Sequence, residues 1–181
     1  MDVSQAIRTR RSIRKYKQEA VAHELIEEIV ADAAYAPSWK NTQIARYILV
    51  EERAAIDKMA EEMVLDFKFN EKTLKSCAAL MVLTYITGRS GFERDGSYAT
   101  PKEAGFEMFD AGIAAQTFCL AAWERGVGTV ITGYFDEEKI IDLLHIPENQ
   151  KVGCVIGLGY PDEEPAAPKR KSASDLLTYH N

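Results

Sequence analysis

The run GVGTVITGYFDEEK (residues 126–139) carries a glycine spacing that invites a dinucleotide-binding reading. That fingerprint has to follow a strand and open a helix, because a pyrophosphate is received by backbone N–H groups at the helix N-terminus. Here the order is reversed. The preceding segment, 103–126, is apolar almost all round, with Phe106, Met108, Phe109, Ile113, Phe118, Leu120 and Trp123. It predicts a helix covered on more than one side, inside a large core or across a subunit contact. The run then enters VGTVIT (127–132), which reads as a strand. The dinucleotide fold is thereby excluded. What remains is Gly133, after a strand and just before a helix that Asp136 can cap, where backbone N–H groups meet a ligand with no side chain in the way.

Working outward, ARYILVE (45–51), AALMVLTYI (78–86) and KVGCVIGLGY (151–160) read as further strands. Leu25, Ile26, Ile29, Val30, Ala33 and Ala34 recur at helical spacing and predict a helix over 22–35 that Pro37 stops. Ile56, Met59, Ala60, Met63, Val64 and Phe67 predict another, DEEKIIDLLH (136–145) a third, and a short first helix starts at an Asp2 or Ser4 cap. TGRSGFERDGSYATP (87–101) is polar, rich in glycine and serine, and reads as a loop or lid. Helices and strands alternate without strict βαβ units, so the expected class is α/β or α+β, a sheet flanked by helices. One domain is expected over 1–160. The extension 161–181 cannot form a core, and its Leu176, Leu177 and Tyr179 need a docking place, a partner subunit being one option.

With 181 residues, 46% hydrophobic and 28% charged, the chain is long enough for one ordinary core. Its formal net charge of -6 argues against a surface that attracts polyanions generally. MDVSQAIR at the start lacks the apolar stretch of a secretory signal and the longest apolar run is too short to cross a bilayer, so a cytoplasmic protein with no membrane partner is expected. Cys77, Cys119 and Cys154 are widely spaced in apolar surroundings and read as buried, reduced thiols. No phosphate-loop motif or HExxH is present, and the three histidines lie on separate elements, so no metal site is expected.

Against the acidic whole stands RTRRSIRKYK (8–17), with six cations in ten positions. If 10–14 is extended, Arg10, Ser12 and Arg14 point to one face, two guanidinium forks around a hydroxyl, which suits a terminal phosphate. If it is helical, Arg10, Arg11 and Arg14 share a face and Ser12 is a bystander. A solvated basic helix end is the plainer alternative, and a nucleic-acid-binding arm lacks a second basic stripe with interleaved aromatics. A second polar stretch, APSWKNTQ (36–43), delivers Ser38, Asn41 and Gln43 into a turn before a strand. Such groups read the donor and acceptor edge of a heterocycle, or simply form the turn.

In order, RTRRSIRKY, APSWKNTQ, FN at 69–70, DAGIAAQTFCLAAWERGVGT leading to ITGYFDEE, and PKRKSASDLLTYHN make a set that resembles the FMN-dependent nitroreductase family over nearly the whole chain. The resemblance implies an α+β fold with a central, mainly antiparallel sheet flanked by helices, and an intertwined homodimer with FMN at the subunit boundary. It implies that Arg10, Arg11, Ser12 and Arg14 hold phosphate, ribityl and part of the ring, that Arg170 reaches the phosphate, and that Ser38 of the other subunit and Asn70 lie near the isoalloxazine. Asn41 belongs to the same turn, and Gly133 and Tyr134 fall where a backbone N–H meets the flavin N5. No protein side chain is then the catalyst. The expected activity is ping-pong electron transfer from NAD(P)H through FMN to a small-molecule acceptor such as a nitroaromatic or a quinone. The alternatives are another acceptor class, including dehalogenation or flavin breakdown, and a flavin-binding sensor or store. Ile44 replaces the proline usual after Gln43, and Thr73 stands where some members place a lysine.

Overall fold

AALMVLTYI is apolar at every position but Thr84 because it lies inside the sheet, with both faces covered. In the computed structural model, which describes residues 1–180, the strands are β1 (Ala45–Val50), β2 (Ala79–Ile86), β3 (Gly128–Thr132) and β4 (Gln150–Gly159). They form a four-stranded antiparallel sheet in the order β1-β2-β4-β3. Along β2 the side chains alternate between two cores. Ala79, Met81, Leu83 and Tyr85 face one, and Leu80 and Val82 face the other.

Helices α2 (His23–Ala33) and α5 (Gly105–Glu124) cover the first face, Ile26, Ile29 and Ala33 packing with Ala114, Ala115 and Phe118. The second face is covered by α3 (Arg53–Glu62), α4 (Lys68–Ser76) and α6 (Glu137–Leu144), through Ile56, Met59, Leu74 and Ile140. Helix α1 (Val3–Thr9), capped by the Asp2 carboxylate on the Gln5 N–H, docks by way of the Trp123 indole N–H, which donates to Thr9 Oγ1 at 2.9 Å. A single turn, α7 (Ala173–Leu176), is closed by a reciprocal Ser172–Asp175 cap on the extension. The α+β class with a central antiparallel sheet is thus the observed one.

One expected helix divides. The periodicity from Ile56 to Phe67 predicts a single element, whereas α3 ends at Glu62, Leu65 and Asp66 take left-handed φ angles of 49° and 58°, and α4 begins at Lys68. The cause is long-range. The Met63 carbonyl, which continuation would need, accepts the Asp136 N–H at 2.8 Å, and the Glu62 carbonyl accepts Lys139 Nζ at 3.1 Å.

The basic segment after α1 is extended. Arg10 leaves the helix at φ -55°, ψ 132°, Ser12 forms a parallel bridge with Thr129 of β3, and the Ile13 N–H donates to the Thr129 carbonyl at 3.0 Å. Ile13 is wholly buried, and Tyr16, also buried, directs its hydroxyl to the Ile13 and Gly157 carbonyls. So close an approach needs glycine at 128, where a Cβ would meet Ile13 Cγ1 at 2.7 Å and Pro161 Cγ at 2.9 Å.

Cys77, Cys119 and Cys154 are free and buried, and burial raises all three thiols, Cys77 and Cys154 to about 12. Being protonated at neutral pH, they should resist iodoacetamide in the native protein and all be alkylated in denaturant, as counted by intact mass. Gly128→Ala should lower the unfolding free energy by about 1–3 kcal/mol in a urea titration, because neither Ile13 nor Pro161 can withdraw without opening the core.

Candidate functional site

Seating Ile13 in the core fixes where its neighbours go. Arg10 and Ser12 are part-buried beside β3 and Arg14 is exposed, all in extended backbone. The Arg14 backbone is held on both sides. Its N–H donates to the Glu163 carboxylate, and its carbonyl accepts the Ser76 hydroxyl at 2.8 Å. The guanidinium donates from Nη1 to the Ser12 carbonyl at 3.3 Å and lies over the Phe69 ring, 5.5 Å from the centroid. Arg11 behaves differently. Its Nη1 turns back to the Arg8 and Arg10 carbonyls at 2.8 and 2.9 Å and closes the end of α1.

Around Arg14 stands an aromatic group that periodicity alone did not single out. Phe67 and Phe69 are 6.0 Å apart at the start of α4, and Tyr134 meets Phe67 edge-on at 5.6 Å. All three rings are about half exposed, an uncommon state for large aromatics on a chain with two full cores. Next to them Asn70 is buried, at 9% exposure, yet its carboxamide has no hydrogen-bond partner among the described residues. Its amide atoms are not sealed from solvent, so they are available to something outside the chain. Gly133, at the end of β3, is exposed, and a Cβ added there would meet nothing within 4 Å, so its backbone is open to a ligand. Arg10, Ser12, Arg14, Asn70, Gly133 and Tyr134 therefore gather at the β3 edge.

Ser38 and Asn41 do not join them. Their turn precedes β1, at the opposite edge of the sheet, three strand spacings of about 4.8 Å or roughly 14 Å away before any loop is counted. The turn is sharply bent, with left-handed φ at Lys40 (45°), Asn41 (56°) and Gln43 (49°), and Ser38 Oγ accepts the Gln43 N–H at 2.9 Å. Beside it lies a largely apolar cavity of about 340 Å³ between α2, β1 and α5, lined by Val30, Ala33, Ser38, Gln43, Tyr47 and Ala114. The Tyr47 hydroxyl in its wall is buried and unpartnered, and burial raises its pKa to about 12. Arg170 lies exposed on the extension, with no hydrogen bond to either group among the described residues.

Two acidic side chains in the apolar helix α5 complete the picture. Glu107 and Asp110 are buried, and Glu107 Oε1 accepts the Gly88 N–H at 2.6 Å. Asp110 Oδ2 accepts the Trp39 N–H at 2.9 Å and the Ser90 hydroxyl at 2.5 Å. The sequence reading missed both. The available signal was a pair of carboxylates on a helix otherwise apolar all round, since buried charge is tolerated only when it is hydrogen-bonded. Among the described residues no cluster of His, Cys, Asp and Glu suits a metal ion, and no helix is long and apolar enough to cross a membrane.

The chain is similar to several known proteins. A Methanothermobacter thermautotrophicus protein carrying a NADH dehydrogenase/NAD(P)H nitroreductase name is 34% identical over 169 residues, covering 91% of this chain and 80% of its own length. The NADPH-flavin oxidoreductase of Vibrio harveyi is 26% identical, covering 93% of this chain and 70% of its own. Among solved structures, a nitroreductase family protein of Clostridium novyi superimposes with a TM-score of 0.77 at 27% identity, over 93% of this chain and 89% of that one. A structure from Exiguobacterium sibiricum in complex with FMN gives a TM-score of 0.82 at 18% identity, over 99% and 98% of the two chains, a likeness of fold alone. The model of the Nitroreductase family matches residues 7–160, from the basic segment to the end of the last strand, and this chain belongs to that family.

Proposed function

We propose that the chain is an FMN-dependent oxidoreductase that passes electrons from NAD(P)H to a small-molecule acceptor such as a nitroaromatic or a quinone. The observation that supports it most directly is the set of available groups at the β3 edge: an exposed Arg14 guanidinium with one long bond to the Ser12 carbonyl, an unbonded Asn70 carboxamide and the open Gly133 backbone. This donor set fits a flavin mononucleotide. Arg10 and Ser12 supply a forked cation and a hydroxyl for the phosphate and ribityl oxygens, and Asn70 has both a donor and an acceptor for the polar edge of the ring. Phe67, Phe69 and Tyr134 bound the same space with apolar surface. Flavin, when bound, supplies the redox chemistry, taking electrons from the nicotinamide and giving them to the acceptor in turn.

The chain's own part is to bind, orient and polarise. Arg14, standing where the flavin pyrimidine would lie, favours negative charge there, and the Gly133 N–H offers a donor aimed by the end of β3. Ser38 and Asn41 sit at the far edge of the sheet, so they reach this cofactor only from a second copy, giving a site at a homodimer boundary. Exposed Met108 and Phe109 on α5, with Leu176, Leu177 and Tyr179 on the extension, supply apolar surface for that contact. The extension 161–181 docks on the partner, bringing Arg170 toward the phosphate. It also carries Glu163, which seats Arg14 within its own chain.

Purified protein should be yellow and release FMN, identified by mass, and stopped-flow mixing with NADH or NADPH should bleach the flavin. Protein that stays colourless after FMN addition, with native circular dichroism, refutes the proposal. Arg14→Gln should weaken FMN binding by about 10–100-fold through loss of charge-assisted bonds, as read by flavin fluorescence titration. Removing 161–181 should cost both dimerisation and flavin, checked by light scattering with absorbance detection.

A further inference from the structure

Asp110 is 4% exposed, lies in the chain's longest helix, and stands on the β1 side of the molecule, away from the cationic group. Its one oxygen Oδ2 holds two separate segments. The Trp39 N–H belongs to the turn that carries Ser38 and Asn41, and the Ser90 hydroxyl belongs to the loop 87–101. Ser90 Oγ is in turn 2.7 Å from Thr42 Oγ1, so turn, loop and helix meet at one carboxylate. Outer contacts repeat the fastening, with Lys40 Nζ 3.1 Å from Glu93 and the Trp39 ring 4.4 Å from Phe106.

The turn needs an outside anchor. Three of its four residues from Lys40 to Gln43 have left-handed φ, and none is glycine. Such conformations persist only where surrounding contacts offset their steric cost. Within the turn the local bonds are the Asn41 N–H to the Ser38 carbonyl at 3.0 Å, the Thr42 N–H to the Trp39 carbonyl at 2.9 Å and the Gln43 N–H to Ser38 Oγ at 2.9 Å. A buried carboxylate accepting two donors is the strongest hydrogen-bonding group touching it.

We infer that Asp110 is a positioning residue for the flavin: it locks the left-handed turn in the form that presents Ser38 and Asn41 to the partner's cofactor, and it fastens loop 87–101 to that turn. This rests on the proposed flavin site. The loop is then no free lid but a bracket on the half-site, and its mobility and flavin affinity are coupled through one side chain.

Asp110→Asn keeps an oxygen that can accept both donors, whereas Asp110→Ala leaves the Trp39 N–H without an acceptor and the Ser90 hydroxyl with only Thr42 Oγ1. Two measurements separate positioning from stability: FMN titration of each variant, and amide hydrogen exchange of the flavin-free protein over 38–43 and 88–92. Asp110→Ala should raise the FMN Kd about tenfold or more and accelerate exchange in both segments, while Asp110→Asn stays within about threefold of wild type. A folded Asp110→Ala protein with wild-type Kd overturns the inference, even if its melting temperature falls. Should Asp110→Ala not fold, Ser90→Ala decides: faster exchange at Thr42 with a Kd raised about threefold supports the inference, and no change in either overturns it. Wild-type protein that binds no FMN removes the flavin reading itself, and the wild-type titration distinguishes that failure from the others.

Discussion

The burial of one isoleucine against an edge strand sets the geometry on which the rest depends. Ile13 enters the second core beneath β3, where only the missing side chain of Gly128 leaves room for it. Burying such a side chain contributes about 1.5–3 kcal/mol, more than any single exposed arginine gains from its surroundings. The cations are thus placed by an apolar contact and not by their own attractions. In an extended chain the residues flanking a buried one turn outward, which puts Ser12 and Arg14 beside open space. The acidic remainder of the protein, at a net charge of -6, leaves this strip as a local attractor for a small anion.

Sheet order explains why the polar groups fall into two sets. With β1 and β3 at opposite edges, anything carried by the turn before β1 is separated from anything carried by the edge of β3. Both sets are nonetheless well built. One has an amide without a partner in the chain, the other a strained turn tied to a buried carboxylate. The proposed function assigns the second set to the cofactor of another copy of the chain. The exposed apolar side chains of α5 and of the extension are consistent with that division of labour.

Much of this was legible beforehand. Continuous apolar runs marked β2 and β4, the reversed helix-to-strand order around Gly126 and Gly128 ruled out a dinucleotide fold, and Pro37 and Asp136 marked helix boundaries where they occur. The two conformations open for Arg10–Arg14 could not be separated by spacing, because what decides between them is Thr129, more than a hundred positions away. The break between α3 and α4 was hidden for the same reason, since Met63 is helix-compatible and loses its carbonyl to Asp136. Asp110 was passed over because its partners, Trp39 and Ser90, come from separate loops. Local patterns thus gave the elements, and contacts between distant segments gave the bends and the anchors.

The seat of the cationic strip has a consequence for how the chain is made. Arg14 is made before its backbone partner, because its N–H is taken by Glu163, 149 positions later. Its neighbour Ile13 waits for Thr129 and Pro161. Until residues 128–163 have been made, the basic arm has no groove to occupy, and the edge of β3 stays uncovered until the arm docks. The arm is therefore made before the strand it covers, and a nascent chain stalled before residue 160 carries both a loose basic arm and an unprotected strand.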